Sequence, residues 1–255
     1  STQIGSTMMD LIFGTTVSSN GNLYAVGAFM ADLNCSGTII NPTGSFDGFV
    51  TKYDEDLNLL WAKGLAYGND FQFFSSIDID ENSNNLVIAG AFLDSVILGS
   101  TTTPDTLTCN KTRSLFISKF NINGDVIDAV DFDATSNAIS INNIASNNGF
   151  YYFAGKFSDT LFLYNDTLVS SGNDDGFLLC TDDNLNFQWV RKFQGSASDN
   201  SYTVNIDDNS NILVGTYFAS SDLVVDSTDT ETSLITPTNE GNYDFLISSF
   251  SATNG

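Results

Sequence analysis

Four times along the chain an apolar run reaches a glycine and, two or three positions later, an aromatic: residues 23–29 through Gly27, 87–92 through Gly90, 151–157 through Gly155 and 212–218 through Gly215. The glycines stand 63, 65 and 60 residues apart. A second apolar run keeps the same beat at 47–53, 114–120, 175–181 and 244–250. Repetition at a fixed period means one supersecondary unit burying its apolar face against copies of itself. Approximate repeats over residues 1–61, 62–130, 131–189 and 190–255 therefore predict a single repeat domain.

The second copy shows the pattern most fully. Residues 74–80 alternate apolar and polar as a half-buried strand does, and the turn formers of 81–85 break the run. The chain returns through 86–92, continues through 95–99, crosses a Thr-rich loop over 100–113, and forms a further strand at 115–120. Asn121 to Asp125 is a hairpin signal that leads into 126–132, whose equivalents are 57–63 and 185–191. No stretch sustains a 3.6-residue apolar period, which predicts an all-β fold. Four or five short strands per copy suit a β-propeller built from four repeats of about 60–68 residues, closed four-bladed or part of a larger array. The copies exceed the usual blade length through loops at 34–46, 99–113 and 225–242. The recurring glycine predicts close backbone approach between neighbouring units. Phe49, Phe116, Phe177 and Phe245, read as equivalent, are predicted core residues between blades, each contributing about 1.5 to 3 kcal/mol on burial.

Composition narrows the partners. Hydrophobic residues make up 42% of the chain, with 21 Phe and 9 Tyr, enough for a sizeable core. Only 8 Lys and Arg face 31 Asp and Glu, a net charge of −23, so no basic stripe exists to neutralise phosphates. Nucleic acid and anionic membranes are poor partners on that charge. The longest apolar stretches fall well short of the roughly 20 residues that span a bilayer as a helix, so no membrane insertion is expected. The first residues carry neither an initiator Met nor a basic segment, so any signal peptide is expected to have been removed or to lie outside this sequence. Cys35, Cys109 and Cys180 have no metal-site spacing and could make at most one bridge, with Cys180 predicted to be a buried thiol.

With no histidine, Ser-His-Asp and Cys-His catalysis and imidazole metal sites are excluded. Paired carboxylates could still hydrolyse glycosides, and Asp174-Asp175, Asp182-Asp183 and Asp207-Asp208 are the pairs, although all sit in or beside turn sequences where Asp serves the backbone. Asp78, Asp80 and Asn82 have the alternation of a calcium loop but lack its Gly at position six and its Glu at position twelve, where Ala89 stands; a hairpin turn is the favoured reading. The related segment 205–211 points the same way. Asn34, Asn110 and Asn165 head Asn-x-Ser/Thr triplets in polar loops and are glycosylation acceptors where the host modifies that motif. Trp61 and Trp189 could stack on sugars, but their equivalence in the repeat favours core packing. No cofactor is expected.

The chain resembles the β-propeller repeats found in tandem in secreted bacterial and archaeal surface proteins, the SBBP-type repeats. The resemblance rests on Trp61-Ala-Lys63, Gly68 to Asp70, the strand 86–92, and Asp47 to Tyr53 with its Asp-x-Phe-x-x-Lys-Tyr order. It spans the chain, with departures: Asp128-Ala-Val130 replaces the Trp strand in the third copy, and Ser248-Ser249 replaces Thr-Lys in the fourth. It implies a secreted or cell-surface location and a structural or adhesive role, and it carries no catalytic residues. The expected partners are copies of this chain or other surface proteins, joined through edge strands and loops in a surface or filamentous assembly. Glycans are the alternative partner, for a lectin-like propeller; a carboxylate glycosidase is a third reading. The sequence also begins and ends in phase with its repeat, which suggests either a four-bladed ring or, preferably, a segment whose next strand comes from further chain or from a neighbouring molecule.

Overall fold

The structure, a computed structural model, describes residues 2–68, 70–99, 105–227 and 237–251. Every regular element among them is a β-strand, and the strands form several antiparallel sheets, none closed on itself. The chain divides into two compact units, residues 1–131 and 132–255. The centres of two of the long loops, 100–104 and 228–236, lie outside the described residues.

Each repeat builds one sheet whose main strands pair in chain order. The first sheet contains Asp10–Val17, Leu23–Phe29, Asp47–Tyr53 and Leu59–Tyr67. In the second, Gln72–Asp80, Asn85–Phe92 and Arg113–Asn121 pair, and Val126–Ala134 follows. The third contains Ser140–Asn147, Phe150–Phe157, Asp175–Asp182 and Phe187–Gln194, and the fourth Asp199–Ile206, Asn211–Phe218 and Asp244–Ser251. The Trp-bearing strand thus closes a sheet, so the sheets run over residues 10–67, 72–134, 140–194 and 199–251.

Between its second and third strands each repeat also sends out an extra strand or hairpin that pairs with the last strand of the sheet before. Ser95–Leu98 pairs at Ile97 with Tyr67 and at Leu98 with Ala66, and Asp105–Thr108 completes its hairpin. Thr160–Leu163, in a hairpin with Asp166–Val169, meets Ala134, and Val224–Ser227 runs along Phe187–Gln194. In the first repeat, the hairpin of Leu33–Cys35 and Thr38–Ile40 takes Ile4–Gly5 at this place.

Within each unit the sheets stack face to face. In the first unit Tyr24, Val26 and Val50 of the first sheet meet Phe74, Ile77, Ile88 and Phe116 of the second. In the second unit Tyr152, Ala154, Leu178 and Cys180 meet Val204, Ile212, Val214 and Phe218. Apolar alternation at period two dictates this packing, because successive side chains of a strand point to opposite faces.

The recurring glycine has a local cause. Opposite it, the first strand of every sheet carries a β-bulge, at Phe13, Ser75, Asn142 and Tyr202. The bulge pushes a carbonyl toward the second strand: a Cβ on Gly27, Gly90 or Gly155 would lie 1.9, 2.1 or 2.2 Å from the carbonyl oxygen of Leu11, Phe73 or Ser140. From the other side, the rings of Phe49, Phe116 and Phe177 lie over the same glycines, 2.9, 2.5 and 2.6 Å from that Cβ. The close approach is therefore made within one sheet, not between neighbouring units as the spacing suggested.

The fourth sheet departs by one residue. Its bulge register places Thr216, not Gly215, at the glycine position, and Leu246, not Phe245, opposite it. Leu246 is smaller than Phe, and Thr216 is 1% exposed with its hydroxyl 3.4 Å from Ser201 Oγ. Phe245, expected in the core, is 84% exposed. The slip turns it to the opposite face of the sheet.

Turns are built by carboxylates and amides. Oδ1 of Asp54, Asp182 and Asp207 each accepts two backbone N–H bonds, from the residues two and four positions on, and Oδ1 of Asn121 does the same. The fourth residue of these turns lies in the left-handed region: Leu57 (φ 65), Gly124 (φ 78), Leu185 (φ 58) and Ser210 (φ 65). Glycine there is unstrained, whereas a leucine is not.

Two predictions follow from this geometry. Leu57→Gly, at a half-exposed turn position, should raise stability by roughly 0.5 to 1 kcal/mol, read as a higher denaturant midpoint; an unchanged or lower midpoint would show that the turn carries no strain. Gly155→Thr should cost about 3 kcal/mol or more, while Gly155→Thr combined with Phe177→Leu should recover about 1 kcal/mol or more of that loss. A double-mutant cycle with no coupling would refute the ring-over-glycine explanation.

Candidate functional site

The residues singled out in the sequence fall mostly into structural roles. Asp80 accepts hydrogen bonds from the Asn82 N–H and the Ser83 hydroxyl in the hairpin turn, and Asp78 accepts one from the Thr16 hydroxyl at 3.3 Å. Among the described residues no three acidic or thiol groups gather as a metal site. Asn34, Asn110 and Asn165 are all exposed on the hairpins between second and third strands, Asn34 binding the Gly37 N–H and Asn110 the Thr108 carbonyl. Trp61 is half-buried, donates to the Ile122 carbonyl at 3.2 Å and packs on Tyr24, and Trp189 is 9% exposed beside Tyr152. All three cysteines are free thiols; burial pushes Cys180 up to about 12 and Cys35 up to about 11.

The carboxylate pairs lie at turns and strand ends. Asp182 and Asp207 are committed to turns, and hydrogen bonds from Asn211 hold Asp207 below the usual carboxylate range. Asp174 accepts from Lys156 at 2.9 Å and from the Ser158 hydroxyl. Its neighbour Asp175 is wholly buried at the start of a third strand, with Oδ2 taking the Ser171 N–H at 2.7 Å and lying 3.9 Å from Lys192 Nζ. Its Oδ1 has no partner among the described residues. Burial pushes Asp175 up to about 6, with the nearby charge of Asp199 adding to the shift and the Ser171 and Lys192 contacts opposing it. Asp199, equally buried, is also raised by burial against the pull of the Ser220 bonds. The same positions in the first unit hold Asp47 and Gln72, also fully buried. These are strand-end polar groups closing the repeat.

A groove of about 620 Å³ lies in the first unit, lined by Ile39, Ile40, Ile97, Lys63 and Tyr67 among others. The Lys63 amine there is already bound to the Asn123 carbonyl and lies 3.6 Å from Asp125.

Among the described residues two surfaces group several exposed apolar side chains. One is the outward face of the fourth sheet, with Phe245 at 84%, Ile247 at 79%, Tyr202 at 63% and Tyr243 at 56% exposure. The rings of Tyr202, Tyr217 and Tyr243 form a connected group at 6.3 and 5.6 Å between centroids. Among the described residues Asp244–Ser251 pairs with Asn211–Phe218 alone, so the backbone groups of 244–250 along its other edge are open. The second surface is the first strand of the first sheet, with Ile12 at 57% and Val17 at 58% exposure. Their counterparts in the second sheet, Phe74 and Ile79, are 0% and 6% exposed under the first sheet. Sequence reasoning missed both surfaces; the signal for the fourth-sheet surface was the extra residue between Gly215 and Phe218.

Compared with known proteins, the chain matches no family model and no curated protein. The likeness to surface-protein repeats therefore rests on the residues quoted for it.

Asp175 supplies a test of the buried carboxylates. Its folded value, about 6, lies above its ordinary 3.8, so the folded state holds the extra proton between those limits. The associated stability is fully present below the lower value and is lost as pH rises through the upper, up to about 3 kcal/mol in all. Asp175→Asn keeps an acceptor for Ser171 and should flatten that part of the pH profile in urea unfolding. Identical profiles for both proteins would show that Asp175 does not titrate there.

Proposed function

We propose that this chain is a noncatalytic extracellular module of β-propeller type, part of a surface or filamentous assembly, working through protein contacts on its sheet faces and edges. The observation that carries the reading is the outward face of the fourth sheet, where an alternation used elsewhere to fill cores leaves Phe245 and Ile247 in water, beside an edge that pairs with no strand among the described residues. Two further features support it. The carboxylates available for hydrolysis serve turns and strand ends, and the repeats carry no histidine. The acidic surface keeps such a module soluble and unattractive to nucleic acid.

One observation favours a second reading. The Tyr202, Tyr217 and Tyr243 group is exposed enough to stack on sugar rings, which suits a carbohydrate-binding propeller.

Three measurements on the purified chain separate these readings. The scaffold reading expects binding to the surface of the cells that produce it, no saturable binding on a glycan array, and no hydrolysis of polysaccharides. Saturable glycan binding that Tyr202→Ala or Tyr243→Ala weakens by about tenfold or more would establish the lectin reading instead. Hydrolysis abolished by Asp174→Asn would overturn both.

A further inference from the structure

Two incomplete sheets in this molecule are complementary halves of one plan. The complete plan is the six-stranded sheet in the order Asp105–Thr108, Ser95–Leu98, Leu59–Tyr67, Asp47–Tyr53, Leu23–Phe29, Asp10–Val17. Among the described residues the fourth sheet, Asp199–Ile206, Asn211–Phe218 and Asp244–Ser251, supplies the three strands at one end of that order and has no strand at the edge where a fourth would pair. The small sheet of Ile4–Gly5, Leu33–Cys35 and Thr38–Ile40 supplies the three at the other end. Ile4 pairs with Cys35 as Ala66 pairs with Leu98, which puts Ile4–Gly5 at the end of a fourth strand.

We infer that a second copy of this chain docks head to tail: Ile4–Gly5 of one molecule pairs along the Asp244–Ser251 edge of the next, joining the halves into one sheet. This rests on the scaffold reading above and names its partner. The packing agrees with the pairing. Leu33, Cys35 and Ile40 of the small sheet already lie on Phe29 and Phe49 of the first sheet, so the small sheet occupies the layer stacked on it. A fourth sheet joined edge to edge enters the same layer, and its Phe245 and Ile247 come down on the exposed Ile12 and Val17 of the other copy. Within the first unit the corresponding interface sets Phe74 over Gly48, whose Cβ would lie 2.9 Å from that ring. At the joint between copies the aromatic comes from the opposite side, Phe245 in the place of Gly48 and the smaller Ile12 in the place of Phe74. Such a contact joins two different surfaces, so it propagates into filaments unless the copies close a ring. Each copy carries a charge of −23, so added salt strengthens it.

Sedimentation of the full chain across concentrations, at low and high salt, tests this. Oligomers in whole-chain increments, growing with concentration and salt, are expected. Phe245→Asp and Ile12→Asp each change an exposed side chain, so circular dichroism should match the parent, and each should weaken association by about a hundredfold or more. Mixed together, the two variants retain one intact interface between them and should form a one-to-one dimer that grows no further. A parent that stays monomeric, variants that assemble like the parent, or a mixture that stays monomeric would each overturn the inference. A monomer that still binds cell surfaces would overturn the head-to-tail contact and leave the scaffold reading standing.

Discussion

Everything in this molecule depends on the space above one position of the second strand in each sheet. A bulge in the first strand drives a carbonyl into that space from one edge, and a phenylalanine ring from the third strand covers it from above. Glycine alone fits between them in the first three sheets. The bulge bends the strand so that its residues reach the neighbouring sheet, and the ring fills the interface thus formed. The fourth sheet meets the same constraint with a different pair, Thr216 under Leu246, and in doing so shifts its alternation by one residue. Side chains that would have been core are then presented outward.

The extra strand or hairpin of each repeat couples neighbours in a second way. It extends the preceding sheet by backbone pairing while packing its apolar side chains on its own sheet, as Val96 and Leu98 do beside Phe116 and Phe120. A repeat is therefore incomplete alone in two respects, lacking a cover for one face and a neighbour for one edge. Solenoid-like proteins meet the first need by stacking; here the second is met as well. Ile4–Gly5 and Asp244–Ser251 are the two places among the described residues where this exchange is half made.

The acidic composition turns out to be as much architectural as electrostatic. Asp54, Asp182 and Asp207 hold turns through the backbone, and Asp47 and Asp175 close strand ends from buried positions. A carboxylate in a turn accepts several N–H bonds at once without needing a cation, which lets a chain with 8 basic residues carry 31 acidic ones. The few basic side chains are spent with similar economy: Lys52 lies over Tyr24, Lys63 over Trp61 and Arg191 over Trp189.

Much of this was legible in the sequence. Strand class, hairpin turns such as Asn121 to Asp125, the burial of Cys180 and the fourfold repetition all follow from period-two alternation and turn chemistry, which are local properties. The extra strands and hairpins were not legible as connectors, because their partner lies in the previous repeat and a strand of four residues does not announce what it pairs with. Nor was the fate of Phe245, which the aromatic spacing aligned with Phe177. Local pattern counts residues along the chain, whereas register is decided where a side chain finds room across strands. With Thr216 at the glycine position, a smaller leucine meets it, and a shift of one residue sends every neighbour to the other face. The sequence by itself determined that these are similar β-sheets, one to a repeat; only the tertiary structure decided which side chains the last sheet turns outward.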